Sequence, residues 1–221
     1  MRFPISLIFL LSLLTSPVLA QQHKTGELPS GWKMRFDRSS ASLSNVMFNA
    51  EGDHNYHFEV GPEEAAIYYK PDAKTSGSYS LQATFTQLKK TGHPEAYGLF
   101  VGGKNLQKSG QEYLYFLIRQ DGKYLIKRRT GSNIQVIVDW TSSDALKALG
   151  ANEESTNKLE IACGHARVKF AANGKVIATI SRSKLKDIEG ITGLRINHHL
   201  HLNVNNFTLD PMNQDYRIFV F

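Results

Sequence analysis

The chain is poor in features that other protein classes depend on. Its one cysteine, Cys163, excludes an internal disulfide. In NKLEIAC it falls in phase with Leu159 and Ile161, as a small apolar packing residue would. Stability must therefore come from burial and backbone hydrogen bonding. Helix signals are almost missing. Only SSDALKAL, closing at Gly150, has capping serines, an early Asp144 and a glycine stop, and it reads as one short surface helix or turn. A long apolar run occurs once, Ile5 to Leu14. It is too short to span ~30 Å of hydrocarbon, which takes about 20 residues.

That run follows Arg2 and is broken by Thr15, Ser16 and Pro17 before Val18-Leu19-Ala20. A charged start, an apolar segment and small residues at the cleavage positions predict a signal peptide over 1–20, cut after Ala20. The mature chain, 21–221, is then exported, to the periplasm or outside the cell, with no transmembrane segment left. No lipobox cysteine accompanies the leader. The whole chain carries a net charge of +6 at pH 7, Arg2 contributing one of the positive charges. A basic surface suits acidic polysaccharide or simple solubility. Arg119, Lys123, Lys127, Arg128 and Arg129 form no known nucleic-acid signature, so nucleic acid is not expected as a partner.

Strand patterns fill the rest. SYSLQATFTQL puts Tyr79, Leu81, Ala83 and Phe85 on one side and Ser80, Gln82, Thr84 and Thr86 on the other, as in a half-buried antiparallel strand. Segments 96–102, 112–119 and 123–129 follow, the last two joined by Gln120-Asp121-Gly122. Asn173-Gly174 joins two later strands. Asp-Gly and Asn-Gly tolerate the positive φ that tight hairpins need. A final long strand is predicted over Thr192 to Asn206. About a dozen short strands with turn chemistry between them predict an all-β, two-sheet antiparallel sandwich or a barrel, in one domain with its core at about 30–209. The C-terminal Asp215 to Phe221 reads as an extra strand or tail on that sandwich.

YGLFVGG, EYLYFLIRQDGKYLIKRR, ARVKFAANGKVIATI and GITGLRINHHLHLNVNNFTL, in that order, resemble the concanavalin A-like lectin/glucanase superfamily. The resemblance is nearest to its laminin-G-like jelly rolls in exported bacterial proteins. It implies a jelly roll of two curved sheets, with glycans as frequent ligands of the concave sheet or the loop edges. Lectins, binding modules and glycoside hydrolases all share that fold, so the fold does not choose among them.

The Glu-x-Asp-x-x-Glu strand motif of the superfamily's glucanases is absent, and no catalytic residue is assigned. Glu63-Glu64 and Glu153-Glu154 are adjacent loop pairs, while Glu95, Glu112, Asp121 and Asp139 read as surface or turn residues. No Asp-x-Asp calcium loop occurs; Asp37, Glu51 and Asp53 are only a loose set. The predicted last strand alternates Leu194, Ile196, His198, Leu200, Leu202 and Val204 with Arg195, Asn197, His199, His201, Asn203 and Asn205. The second set is a row of donors and acceptors suited to sugar hydroxyls. His198, in the first, reads as a core residue. Tyr113, Tyr115 and Arg119 share a face of their own strand and could supply stacking for pyranose rings. The expected ligand surface is thus Arg195, Asn197, His199, His201, Asn203, Tyr113, Tyr115 and Arg119. His199 and His201 could also share a metal, but with no third ligand neither a metal nor a cofactor is assigned. His54 and His57 differ in parity and make a poor pair. The leading expectation is a non-catalytic, carbohydrate-binding sandwich. The rivals are a glycoside hydrolase of the same fold and a structural or protein-interaction domain.

Overall fold

A computed structural model describes residues 24–150 and 154–212. The leader over 1–20 and the tail over 215–221 lie outside these residues. The first strands are β1 (Lys33–Phe36), β2 (Val46–Ala50), β3 (Tyr56–Val60), β4 (Ala66–Thr75) and β5 (Tyr79–Gln87). The middle of the chain forms β6 (Ala96–Lys104), β7 (Glu112–Arg119), β8 (Lys123–Thr130) and β9 (Asn133–Ser142). The last are β10 (Ser155–Cys163), β11 (Arg167–Ala172), β12 (Lys175–Ser181), β13 (Gly190–Ile196) and β14 (His201–Pro211). Helical structure among the described residues is limited to 3-10 turns at Leu43–Asn45 and Arg182–Leu185. The segment 143–149 is turn and coil rather than helix. No helix here is long and apolar enough to cross a membrane.

The strands make two antiparallel seven-stranded sheets. Sheet I runs β1-β4-β13-β6-β7-β8-β9, and sheet II runs β12-β11-β10-β5-β14-β3-β2. Each strand feeds one interior by alternation. In β5, Tyr79, Leu81, Ala83 and Phe85 are buried between the sheets, while Ser80, Gln82, Thr84 and Thr86 face out. Aromatic rings bridge the layers: Phe48 to Tyr68, Phe85 to Tyr97 and Phe116 to Phe170, at centroid distances of 5.2, 5.4 and 5.5 Å. Burying one such ring is worth about 1.5–3 kcal/mol, and edge or tilted contact adds to that. Cys163 is fully buried in this interior, and burial pushes its thiol up to about 12. It stays protonated and packs as an apolar side chain.

Sheet I is buried on its other face too. Ile67, Tyr69, Phe100, Tyr113, Tyr115, Leu117 and Leu125 form a second apolar cluster there. A loop folds over it after β6. Leu106 enters the cluster, and Arg35 Nη1 donates to the carbonyls of Leu106 and Lys108 at 3.1 and 2.6 Å. Gln107 Nε2 donates to the Met34 carbonyl and to Tyr69 Oη, at 2.9 and 2.7 Å. Gly193 shows how close the packing is. A Cβ there would lie 2.2 Å from the Tyr68 carbonyl oxygen and 2.5 Å from the Phe100 ring.

Between β13 and β14 the chain changes sheets. Asn197 N–H donates to the Ala96 carbonyl of sheet I, and Val60 N–H of sheet II donates to the Leu200 carbonyl. His199, at φ 57°, takes the left-handed conformation that turns the chain across. The predicted strand over 192–206 is therefore two strands in different sheets.

Arg195 lies on the covered face of sheet I, 8% exposed, and forms a two-pronged ion pair with Asp37. Arg129 also donates to Asp37, at 3.4 Å. Replacing Asp37 by Asn leaves the buried guanidinium without its countercharge. Urea unfolding should show a loss of about 3 kcal/mol. The double change Asp37→Leu with Arg195→Met should recover most of it, because burying a charge pair gains little over apolar packing. A loss below about 0.5 kcal/mol in Asp37→Asn, the size of an ordinary surface change, would contradict the buried-pair reading.

Candidate functional site

Three of the eight residues of the expected ligand surface, Tyr113, Tyr115 and Arg195, are inside the protein. Tyr113 and Tyr115 are 1% and 8% exposed, beneath the loop and beside Arg195. Burial pushes the Tyr115 phenol up to about 12, against the pull of Arg195. Burial alone would lower the Arg195 pKa, but the Asp37 carboxylate reverses this and raises it. Arg195, Tyr113 and Tyr115 thus hold sheet I together and offer no face for a sugar ring to stack on. Arg119 is turned to Asp121, with which it makes two hydrogen bonds at 3.0 and 2.6 Å, and its guanidinium lies 4.2 Å from the Trp140 ring centroid. The Arg119 bonds hold the Asp121 carboxyl below its usual range.

Of the others, His201 and Asn203 lie on the outer face of sheet II. Register puts His201 opposite Glu59 and Asn203 opposite His57 across β14 and β3. On the far side of β14, Asn203 faces Thr86 and Asn205 faces Thr84. One strand further, Thr156 and Lys158 of β10 lie opposite the same two threonines. Alternation explains why these residues share a face: their neighbours Phe58, Leu202, Val204 and Phe85 point into the core. The result is a grid of imidazole, carboxamide, hydroxyl and carboxylate groups, half-buried or exposed, across four adjacent strands.

Short contacts order the grid. His57 Nδ1 meets Asn203 Oδ1 at 2.7 Å, and because that oxygen only accepts, the imidazole nitrogen donates. Glu59 Oε1 lies 3.3 Å from His201 Nε2 and 3.7 Å from His57 Nε2. The two imidazoles meet edge to face, 5.0 Å between centroids. Burial lowers the His201 pKa, and the nearby Glu59 only partly offsets it. Thr86 and Thr156 hydroxyls are 2.9 Å apart.

Two open clefts adjoin the grid where the chain crosses between sheets. One, of about 540 Å3, is lined by Met47, Glu59, Gly61, Lys89, His199 and His201 among others. The other, of about 480 Å3, is lined by Lys89, Lys90, Thr91, His93, Glu95 and His199 among others. His199 and Lys89 are common to both. The nearby loop is braced by Glu64, a buried carboxylate. Burial would raise its pKa, but bonds from Asn45 Nδ2 at 2.9 Å and from the Glu63 and Ser42 amides hold it low.

Glu95, expected at the surface, is 4% exposed. Its Oε1 is 3.1 Å from both His93 Nε2 and His198 Nδ1, and Asn197 Nδ2 reaches its other oxygen at 3.5 Å. His198 is partly exposed in this cluster rather than in the core, and burial lowers its pKa against the pull of Glu95. Asn197 thus leaves the expected row and faces Glu95. Sequence reasoning missed His57, Glu59, Glu95, Thr84 and Thr86 as site residues. The available signal was the repeated alternate spacing, His57-x-Glu59 and His201-x-Asn203, on two strands that register brings together.

No protein-family model matches the chain, and no curated protein does. Solved structures do match in fold. The carbohydrate-binding module CBM66 from Bacillus subtilis superposes with a TM-score of 0.58 at 12% identity, over 81% of this chain and 95% of that one. A Bacillus subtilis protein of unknown function with a galectin-like fold gives 0.59 at 12% identity, over 81% and 89%. A Bacteroides ovatus GH16 protein of a mixed-linkage glucan locus, solved with a product, gives 0.54 at 8% identity, over 78% and 92%. These similarities are of fold, and they agree with the two-sheet antiparallel sandwich.

Proposed function

We propose that this chain is an exported, non-catalytic jelly roll that binds carbohydrate on the outer face of sheet II. The observation that carries this is the grid of His57, Glu59, Thr84, Thr86, His201, Asn203 and Asn205, held in register on four strands. Sugar hydroxyls are each donor and acceptor, and a face that mixes amides, hydroxyls, imidazoles and a carboxylate can pair with both roles. The strands fix these groups before a ligand arrives, so little ordering entropy opposes binding. The rings on this face are imidazoles, so recognition rests on hydrogen bonding more than on aromatic stacking. Lys89 and Lys90 at the adjoining clefts favour a saccharide bearing acidic groups. The structural neighbours support the reading at the level of fold, since one is a carbohydrate-binding module.

Binding is favoured over hydrolysis because glycosidases need two carboxyl groups facing one bond. Each cleft is lined by one, Glu59 in the first and Glu95 in the second.

Affinity electrophoresis through gels containing neutral or acidic polysaccharides tests the proposal. Retardation is expected in at least one gel, more in an acidic one, and Asn203→Ala and Thr86→Val should each weaken it about tenfold, one buried-to-ligand hydrogen bond's worth. Tyr115→Phe should leave it unchanged. Free migration in every gel, or equal retardation of all variants, would contradict the assignment. Export has its own check. The mass of the protein recovered from an expressing bacterium should correspond to residues 21–221; retention of the first 20 residues would oppose it.

A further inference from the structure

The His57, Glu59 and His201 cluster has a feature that sugar binding does not require. Because His57 Nδ1 donates to Asn203, Nε2 is the ring nitrogen that faces Glu59 Oε1, 3.7 Å away. His201 Nε2 approaches the same oxygen at 3.3 Å. One donor atom from each of the three residues lies within 4.8 Å of the other two. Zinc bound at ~2.0–2.1 Å by nitrogen and oxygen places its tetrahedral ligands about 3.3 Å from one another. Two of the three separations, 3.3 and 3.7 Å, are close to those edges.

We propose that His57 Nε2, His201 Nε2 and Glu59 bind a first-row divalent metal ion, best matched by zinc. Two imidazoles and one carboxylate are a recognised three-residue donor set for this ion, leaving a fourth position for water or an incoming ligand. Glu59 and His201 line the larger cleft, which gives the ion a path of entry. Asn203 is the outer support: by accepting from His57 Nδ1 it fixes the ring and the tautomer that points Nε2 at the ion. The strands β3 and β14 hold all four residues in one register, so a metal would also tie these two strands together.

The site shares His57, Glu59, His201 and Asn203 with the proposed carbohydrate grid, and its test uses no saccharide, so either reading can fail without the other. Calorimetric titration of the mature protein with Zn2+ should show one equivalent bound. His201→Ala and Glu59→Gln should each weaken binding at least tenfold. Asn203→Ala should weaken it by about tenfold, the lower end for loss of an outer-shell partner. Co2+ in place of zinc should give the strong visible absorption of a four-coordinate ion, and acidification through the imidazole range should release it. Circular dichroism of each variant checks that the fold is intact. Binding no tighter than about 1 mM, or equal in the wild type and in a folded His201→Ala, overturns the assignment. So does a loss confined to His93→Ala, which would place the ion at Glu95 instead.

Discussion

Everything in this protein depends on the face-to-face burial of two antiparallel sheets. Cys163 cannot form an internal disulfide, so the apolar layer between the sheets must supply cohesion. Alternation commits every second residue of the central strands to that layer. The remaining residues can do one of two things: be covered by other parts of the chain, or face solvent. Sheet I takes the first course. Its outer tyrosines, leucines and phenylalanine are roofed by the loop after β6 and tied down by Asp37 and Arg195. Sheet II takes the second, and its outer face keeps its polar groups available along β3, β14, β5 and β10. The division of labour between the faces follows from which one the chain covers.

Much of this was legible in the residues. The β5 alternation, the Asp-Gly and Asn-Gly hairpins and the segments 112–119 and 123–129 appear in the structure nearly as the pattern implies. The break after Ile196 was not legible, for a physical reason. Leu194 and Ile196 face the interior from sheet I, and Leu200, Leu202 and Val204 face it from sheet II. Both sheets look toward the same core, so the apolar period runs on through the crossing. Only His199, turned to positive φ, and His198, displaced to Glu95, mark the change.

The candidate site was half legible for a related reason. His201, Asn203 and Asn205 stand out in one strand, but their partners come from elsewhere in sequence. Within its own segment the only other histidine near His57 is His54, whereas Asn203, which His57 meets, lies 146 residues away. The tyrosines failed in the opposite direction. Their strand looks half-exposed, and what buries them is a loop whose path no local pattern reports. Alternation tells which residues share a face; register and covering loops decide what that face meets.

On the carbohydrate-binding proposal, the uncovered face of sheet II receives the ligand. The decisive experiment records backbone amide spectra of the 15N-labelled protein during titration with a soluble oligosaccharide. Shifts should concentrate at residues 57–59, 84–86 and 199–205, with little change at 113–115 and 195. Shifts centred on Tyr113, Tyr115 and Arg195, or on the β9 edge, with the sheet II residues unmoved, would contradict it.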